Sequence, residues 1–451
     1  MLVNRMNIKF FVFYIFFAVC VFVPSTAHAY LDPGTGNALV YVALSLLGAV
    51  LYFVKGMFYK LFKRGGKRET GANTKHDSIV IFCEGKSYWK IFRPVVEKLI
   101  ERKQAFSYFT MDRNDPCLKI DDPYMENRYI GNGNKAYVRM GNLKANVVLV
   151  TTPNIGTEGY PIPRSKEIRK LVYMPHAFGD IAFLHRGSLD HYDAYMLTGD
   201  FQVPGIRKIE EIRNLPKKEL YPAGSPHIET LIQKVNDNKR TKEKKTFSSN
   251  ENIVILLAPS WGEKGFLNYY KTDFIEKLAK QGFQLILRPH PQSVRVEKKL
   301  LQNVEKRLKP YANIRLDYEP DATKSFEAAD ILISDVSEIR FEFAMAYQKP
   351  FITIPLAMTQ EALQEFEIAD LGSSWTEEAM QRIGYGYTLQ ENEIEDLDKI
   401  IIKILQEQDN EAIIKFRNEN IYYLGKSGEV IAGYLIDSNN CLQNETKREE
   451  P

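Results

Sequence analysis

The sequence predicts an α/β fold: two doubly wound, Rossmann-like parallel sheets facing a shared cleft, preceded by an N-terminal signal and transmembrane segment. Three observations carry this reading. Short, near-continuous apolar runs alternate with helix-period stretches from residue 78 onward, the pattern of strands buried on both faces with crossover helices between them. A polar stretch without apolar periodicity, "NDNKRTKEKKTFSSNE" at 236–251, divides that alternation into two series. Two apolar segments precede both series and do not read as globular.

Taken in chain order, Arg5 and Lys9 precede the run "FFVFYIFFAVCVFV", and "AHA" at 27–29 supplies the small-x-small pattern at which signal peptidase cuts. Residues 1–29 therefore read as a signal peptide or signal anchor. After "YLDPGTGN" comes "ALVYVALSLLGAVLYFV" at 38–54, which with its apolar flanks approaches the ~20 residues a helix needs to cross a bilayer. Lys55, Lys60, Lys63, Arg64, Lys67 and Arg68 follow at once, and basic residues concentrate on the cytoplasmic side of membrane helices. Residues 30–69 thus comprise a short extracytoplasmic segment, a transmembrane helix and a basic juxtamembrane stretch. The expectation is a single-pass protein of the bacterial cytoplasmic (inner) membrane with its soluble part in the cytoplasm.

The first domain, 70–235, draws its strands from "SIVIFCEG", "FSYFTM", "ANVVLVTT", "RKLVYMP" and "DAYMLTG", and closes with the strand, turn and helix of "YPAGSPHIETLIQKV". The linker 236–251 follows. The second domain, 252–440, runs through "NIVILLAPSWGEKG", "FQLILRPHP", "NIRLD", "ADILISDVSE" and "PFITIP" and ends in helices; 441–451 is a polar tail. The composition is ordinary for a globular chain, with 44% hydrophobic and 26% charged residues, and a net charge of +3 gives no global pull toward nucleic acid. Cys20 lies in the signal segment, while Cys83, Cys117 and Cys441 are scattered, which suits a reducing compartment and shows neither a disulfide framework nor metal-ligand spacing.

Ligands of open α/β sheets sit beyond the carboxyl ends of the strands, so the residues just after each apolar run are the ones to inspect. "MPHAFGD" at 174–180 places His176 there, followed by a glycine that lets backbone approach a ligand. "APSWGEKG" at 258–265 offers Ser260 and Lys264 between glycines, suited to a phosphate or to a plain tight turn. "LRPHP" at 287–291 supplies Arg288 and His290, the latter held between two prolines that restrict its backbone and aim its ring. "SDVSEIRFEFA" at 334–344 ends a strand in Ser334 and Asp335 and opens a helix near Ser337, where free N–H groups and the helix dipole favour an anion; an ordinary N-cap would also account for Ser337. Three anion-friendly loops at successive strand ends of one domain indicate a phosphate site.

The ordered series "MPHAFGD", "GSPHIETL", "APSWGEKG", "LRPHP", "ISDVSEIRFEFA" and "YLGKSGE" resembles the motifs of the CDP-glycerol glycerophosphotransferases of teichoic-acid synthesis, over roughly residues 78–435. That resemblance implies the GT-B fold, a CDP-glycerol or related CDP-alcohol donor bound mainly by the second domain, and a glycan or lipid-linked acceptor hydroxyl reaching the cleft from the first. It implies His176 as general base, His290 as a contact to the donor diphosphate with Arg288 beside it, and Ser334, Asp335 and Ser337 where phosphate and glycerol are held. The chain departs from the family pattern at Pro175 and Ala177, where tryptophan and glycine are usual, at Pro226 and His227, where the family has a proline–arginine pair, and at Glu338, where it has a second serine. A carboxylate at 338 repels a diphosphate unless it instead binds sugar hydroxyls. Turnover without a cofactor or metal is expected. A GT-B nucleotide-sugar glycosyltransferase or epimerase is the rival reading, favoured slightly by Glu338. A non-catalytic nucleotide-binding membrane protein is a third, against which the two histidines argue.

Overall fold

The computed structural model describes residues 77–237, 247, 249–262, 265–319, 321–335, 337–354 and 363–449. The signal segment, the 38–54 span, the basic stretch after it and Lys264 lie outside the described residues. Among the described residues no helix is long and apolar enough to cross a membrane.

Among the described residues thirteen strands form two sheets. The first contains β1 (Asp77–Cys83), β2 (Phe106–Thr110), β3 (Met125–Tyr129), β4 (Ala145–Val150), β5 (Ile168–Tyr173), β6 (Ala194–Leu197) and β7 (Glu219–Pro222), in the order β3-β2-β1-β4-β5-β6-β7. The second contains β8 (Val254–Leu257), β9 (Gln284–Leu287), β10 (Ile314–Leu316), β11 (Ile331–Ser334), β12 (Phe351–Thr353) and β13 (Gly386–Thr388), in the order β10-β9-β8-β11-β12-β13. Every pairing is parallel. Chain direction across each sheet reverses once, between β1 and β4 and between β8 and β11, and those reversals open the crevices in which doubly wound sheets hold ligands. Register brings Phe82 beside Val150 and Leu257 beside Ile333, so the polar residues that follow them emerge at the two crevices.

The strands exist because their apolar runs have both faces covered: Ile79, Val80, Ile81 and Phe82 are all fully buried. The helix Trp89–Glu101 buries Ile91, Phe92, Val95, Val96 and Leu99, one stripe at helical spacing. Pro94 within it has no N–H to give to the carbonyl of Lys90, and that carbonyl accepts from Thr230 Oγ1 at 3.3 Å instead.

The last helix, Ser427–Glu449, differs from the sequence expectation in two ways. It packs on the first sheet rather than the second, with Ile431, Ala432, Tyr434 and Leu435 inside the core that contains β1, β4 and the helix Trp89–Glu101. It also continues through the stretch expected to be a polar tail. The physical reason is that its apolar stripe ends in anchors that a polar composition hides: Asn146 Nδ2 donates to Asn439 at 2.8 Å, and Arg169 donates to the Leu442 carbonyl and pairs with Glu445.

The two sheets are joined by aromatic packing and ion pairs. Phe201 stacks on Trp375 with centroids 4.7 Å apart, Trp375 stacks on Phe416, and Phe178 packs edge-on against Phe341. Arg213, in the turn after the helix Val203–Ile212, meets Asp190, Glu367 and Asp370, which hold its guanidinium firmly protonated. Asp180 accepts from Ser374 Oγ and Thr376 N.

Candidate active site

His176 follows β5 by three residues, and its Nδ1 lies 3.2 Å from the carbonyl of Thr151 at the end of β4. A carbonyl only accepts, so the neutral ring carries its proton on Nδ1 and leaves Nε2 bare. Tyr88 meets the ring edge-on. Burial holds the imidazole below its ordinary value of 6.5, and the neighbouring His227 pushes it the same way.

The backbone after His176 abuts the second half of the molecule. A Cβ at Gly179 would lie 3.1 Å from Glu338 Oε1, so a side chain there would press on the carboxyl. His176, Gly179, Asp180, Tyr173, Tyr195 and Glu338 line one small crevice. Glu338 stands at the N-terminal boundary of the helix Ile339–Tyr347, its carboxyl making no bond to the helix backbone. Burial pushes its carboxyl up to about 8, reinforced by the charges of Glu342 and Asp180, so it is protonated at neutral pH. One turn further on, Glu342 moves the other way. Burial raises it, but His227, whose Nε2 stands 2.9 Å from Oε1, outweighs that together with Lys90 and His176. Two carboxyls on one helix are thus pushed apart, the arrangement that separates acid from base roles.

At the second crevice the structure places several sequence-predicted residues in partnership with one another. Asp335 is fully buried and accepts from Ser260 N at 3.0 Å, Ser260 Oγ at 2.6 Å and Phe266 N at 3.0 Å. Ser334, 2% exposed, donates its hydroxyl to the Ala258 carbonyl. Both were expected to face the donor. Burial at a strand end obliges these groups to find partners inside the protein, here at Ala258, Ser260 and Phe266. Arg288, expected at the diphosphate, sits 2.7 Å from Asp317 Oδ2 with both side chains nearly buried. Its charge is committed to that pair.

His290 does project from the end of β9. It caps the helix Pro291–Val296, and its Nδ1 accepts from Gln292 N at 3.1 Å, so the neutral ring carries its proton on Nε2. Its pKa is lowered by burial against the opposing pull of Asp335 and Glu297. Trp261 lies alongside, its ring 25° from parallel. Ser337 is half-buried, and its carbonyl accepts from Arg340 Nε at 2.8 Å. The structure brings His176 together with Glu338, and Ser260 with Asp335; no recorded contact joins His176 to His290.

Sequence reasoning missed four participants. Arg340 is fully buried, reaches Thr353 Oγ1 and pairs with Glu377 at 2.6 Å, and so fixes the turn bearing Ser337 and Glu338. An arginine within a helix that is apolar but for Glu342 was its signal. His227 and Glu342 form the pair beside His176, and the departure from arginine at 227 pointed there. Glu84, directly after β1, accepts from Thr152 Oγ1 at 2.9 Å and Tyr160 at 3.4 Å, with burial raising its pKa. An acid ending the run "SIVIFCEG" was its signal.

Residues 188–356 match the family model described as CDP-Glycerol:Poly(glycerophosphate) glycerophosphotransferase. That stretch holds His227, Arg288, His290, Asp335, Glu338 and Glu342; His176 precedes it. Among solved structures the chain is similar to the wall teichoic acid polymerase TagF, at 16% identity over 88% of this chain and 98% of that one, with a TM-score of 0.51. A structure of TagF soaked with CDPG gives 15% identity, 88% and 98% coverage and a TM-score of 0.52. UDP-N-acetylglucosamine 2-epimerase from Rickettsia bellii gives 13% identity, 82% and 98% coverage and a TM-score of 0.52. At such identities the likeness is one of fold. No curated protein sequence matches the chain.

Proposed function

Through residues 188–356 the chain belongs to the CDP-glycerol glycerophosphotransferase family, and from that premise we propose that it transfers glycerol phosphate, or a related polyol phosphate, from a CDP-activated donor to a hydroxyl of a glycan or lipid-linked acceptor in cell-envelope polymer synthesis. The observation that carries the reading is the complementary protonation of the two histidines. His176 offers a bare Nε2 and His290 offers an Nε2–H.

In this reaction the acceptor oxygen attacks the phosphorus bearing the glycerol, an O–P bond forms, and the bond from that phosphorus to the CMP oxygen breaks. His176 Nε2 takes the acceptor proton, and its depressed pKa keeps it free to do so at neutral pH. His290 Nε2–H donates to the donor diphosphate, where charge grows as CMP departs. Glu338, protonated, hydrogen-bonds a hydroxyl of the polyol without repelling the phosphate. Ser260, Ser334 and Asp335 are held by partners within the protein, and Ser337 is a phosphate contact in this reading, as is Lys264 by its place in the sequence.

Membrane attachment through 38–54 with the soluble part in the cytoplasm belongs to the same proposal, because the basic cluster follows that span. Protease added to intact spheroplasts should leave residues 70–451 uncut, and their digestion would reverse the orientation. One observation favours a second reading: a protonated Glu338 sharing a crevice with a basic imidazole is also an acid–base pair suited to nucleotide-sugar epimerisation. Incubating the protein separately with CDP-glycerol, CDP-ribitol and a UDP-N-acetylhexosamine separates the two. Release of CMP from a CDP-alcohol is expected; an epimerised sugar or released UDP would overturn the transferase reading.

A further inference from the structure

We propose that Trp261 is the platform on which the base of the donor nucleotide stacks, an inference that rests on the transferase reading and adds a residue to its donor site. Trp261 is 52% exposed, and it is the one exposed tryptophan of the chain's three. An indole left in solvent forfeits burial of a large apolar surface. Here it stands on a loop that is held rigid rather than left to collapse onto the core.

That rigidity comes from both sides. Asp335 binds the backbone at Ser260 and at Phe266, the two ends of the loop. Glu297 accepts from Gly262 N at 3.2 Å and from Asn268 Nδ2 at 3.0 Å, and the same amide of Asn268 donates to the Gly262 carbonyl at 2.8 Å. Gly262 has φ +95°, a left-handed turn that lets the chain reverse immediately after the tryptophan. Two buried or partly buried carboxylates are therefore committed to holding Trp261 in one place.

The place itself indicates the ligand. Trp261 follows β8 and His290 follows β9, so both sit at the carboxyl edge of the second sheet. The two rings are close to parallel with centroids 6.4 Å apart, the loose end of aromatic pairing, so the histidine does not cover the indole. A ligand whose phosphate meets His290 brings its nucleoside to the neighbouring face. A planar heteroaromatic base meets that face without directional hydrogen bonds, which suits a half-exposed indole.

The test measures binding of CMP and of inorganic pyrophosphate to the full-length protein by calorimetry, in the wild type, Trp261→Ala, Trp261→Tyr and His290→Ala. Expected is a loss of CMP affinity of about tenfold in Trp261→Ala, within the range for stacking on one base, with most of it retained in Trp261→Tyr and pyrophosphate affinity unchanged. His290→Ala should weaken both ligands. Quenching of tryptophan emission on CMP addition should vanish in Trp261→Tyr. Unchanged CMP affinity in Trp261→Ala, or an equal loss for pyrophosphate, overturns the stacking assignment alone. A wild-type protein that binds neither CMP nor CDP overturns the donor reading and this inference with it.

Discussion

His176 and Glu338 come from different sheets, share one crevice and are displaced in opposite senses from their ordinary pKa values. Their pH consequences follow from sign. A base works when unprotonated, and His176 is held below 6.5, so activity should stay on its plateau as pH falls through 6.5 and drop only below it. If Glu338 is the neutral donor proposed for it, ionisation above about 8 should add charge beside Glu342 and Asp180 and lower activity. A pH profile of kcat/KM checks both limbs, and Glu338→Gln should keep the alkaline side flat. The same substitution should stabilise the fold. Raised from 4.5 to about 8, the folded carboxyl holds its proton while the unfolded one loses it, so ionisation favours the unfolded chain progressively as pH rises through that window. Glutamine has no such term, so the gain in melting temperature should grow from pH 4.5 to about 8 and then level off.

At the scale of elements, one motif inverts what its sequence suggests. "LRPHP" reads as a paired phosphate grip, yet β9 ends with Arg288 turned to Asp317 while His290 alone caps the next helix. Arg288→Ala should therefore leave the Asp317 carboxylate without its counter-ion, held only by Ser325 Oγ and Glu319 N, and destabilise the fold by about 3 kcal/mol, seen as a lower chemical midpoint, while the folded fraction keeps its affinity for CMP. The motif "YLGKSGE" runs into the last helix, and Gly428 lies in its first turn, where a Cβ would come within 2.8 Å of Pro94 backbone atoms. Gly428→Ala should cost about 2 kcal/mol through overpacking and loosen the last helix from the first sheet, measurable as faster amide exchange across 431–435.

Across the whole molecule, most of the architecture was legible because buried parallel strands write near-continuous apolar runs and the strand-end rule then points to the ligand side. Edge strands were the exception. β3, "MENRY", alternates exposed and buried residues, and β13 is three residues long, so neither carries an apolar run. The home of the last helix was also hidden, since helical periodicity says which face is buried but not against what. That His176 and His290 follow the carboxyl ends of strands was legible from the apolar runs before them. The internal commitments of Ser334, Asp335 and Arg288 were not, because a polar residue at a strand end looks the same whether it meets a ligand or a neighbouring loop. In the proposed mechanism His176 takes the acceptor proton while the donor is held elsewhere. That assignment is tested most directly by comparing wild type and His176→Ala in one experiment that records both CDP-glycerol affinity and the rate of CMP release in the presence of acceptor. The predicted result is unchanged affinity with a rate lowered by about 10²–10⁴, and a His176→Ala protein that releases CMP at the wild-type rate would contradict it.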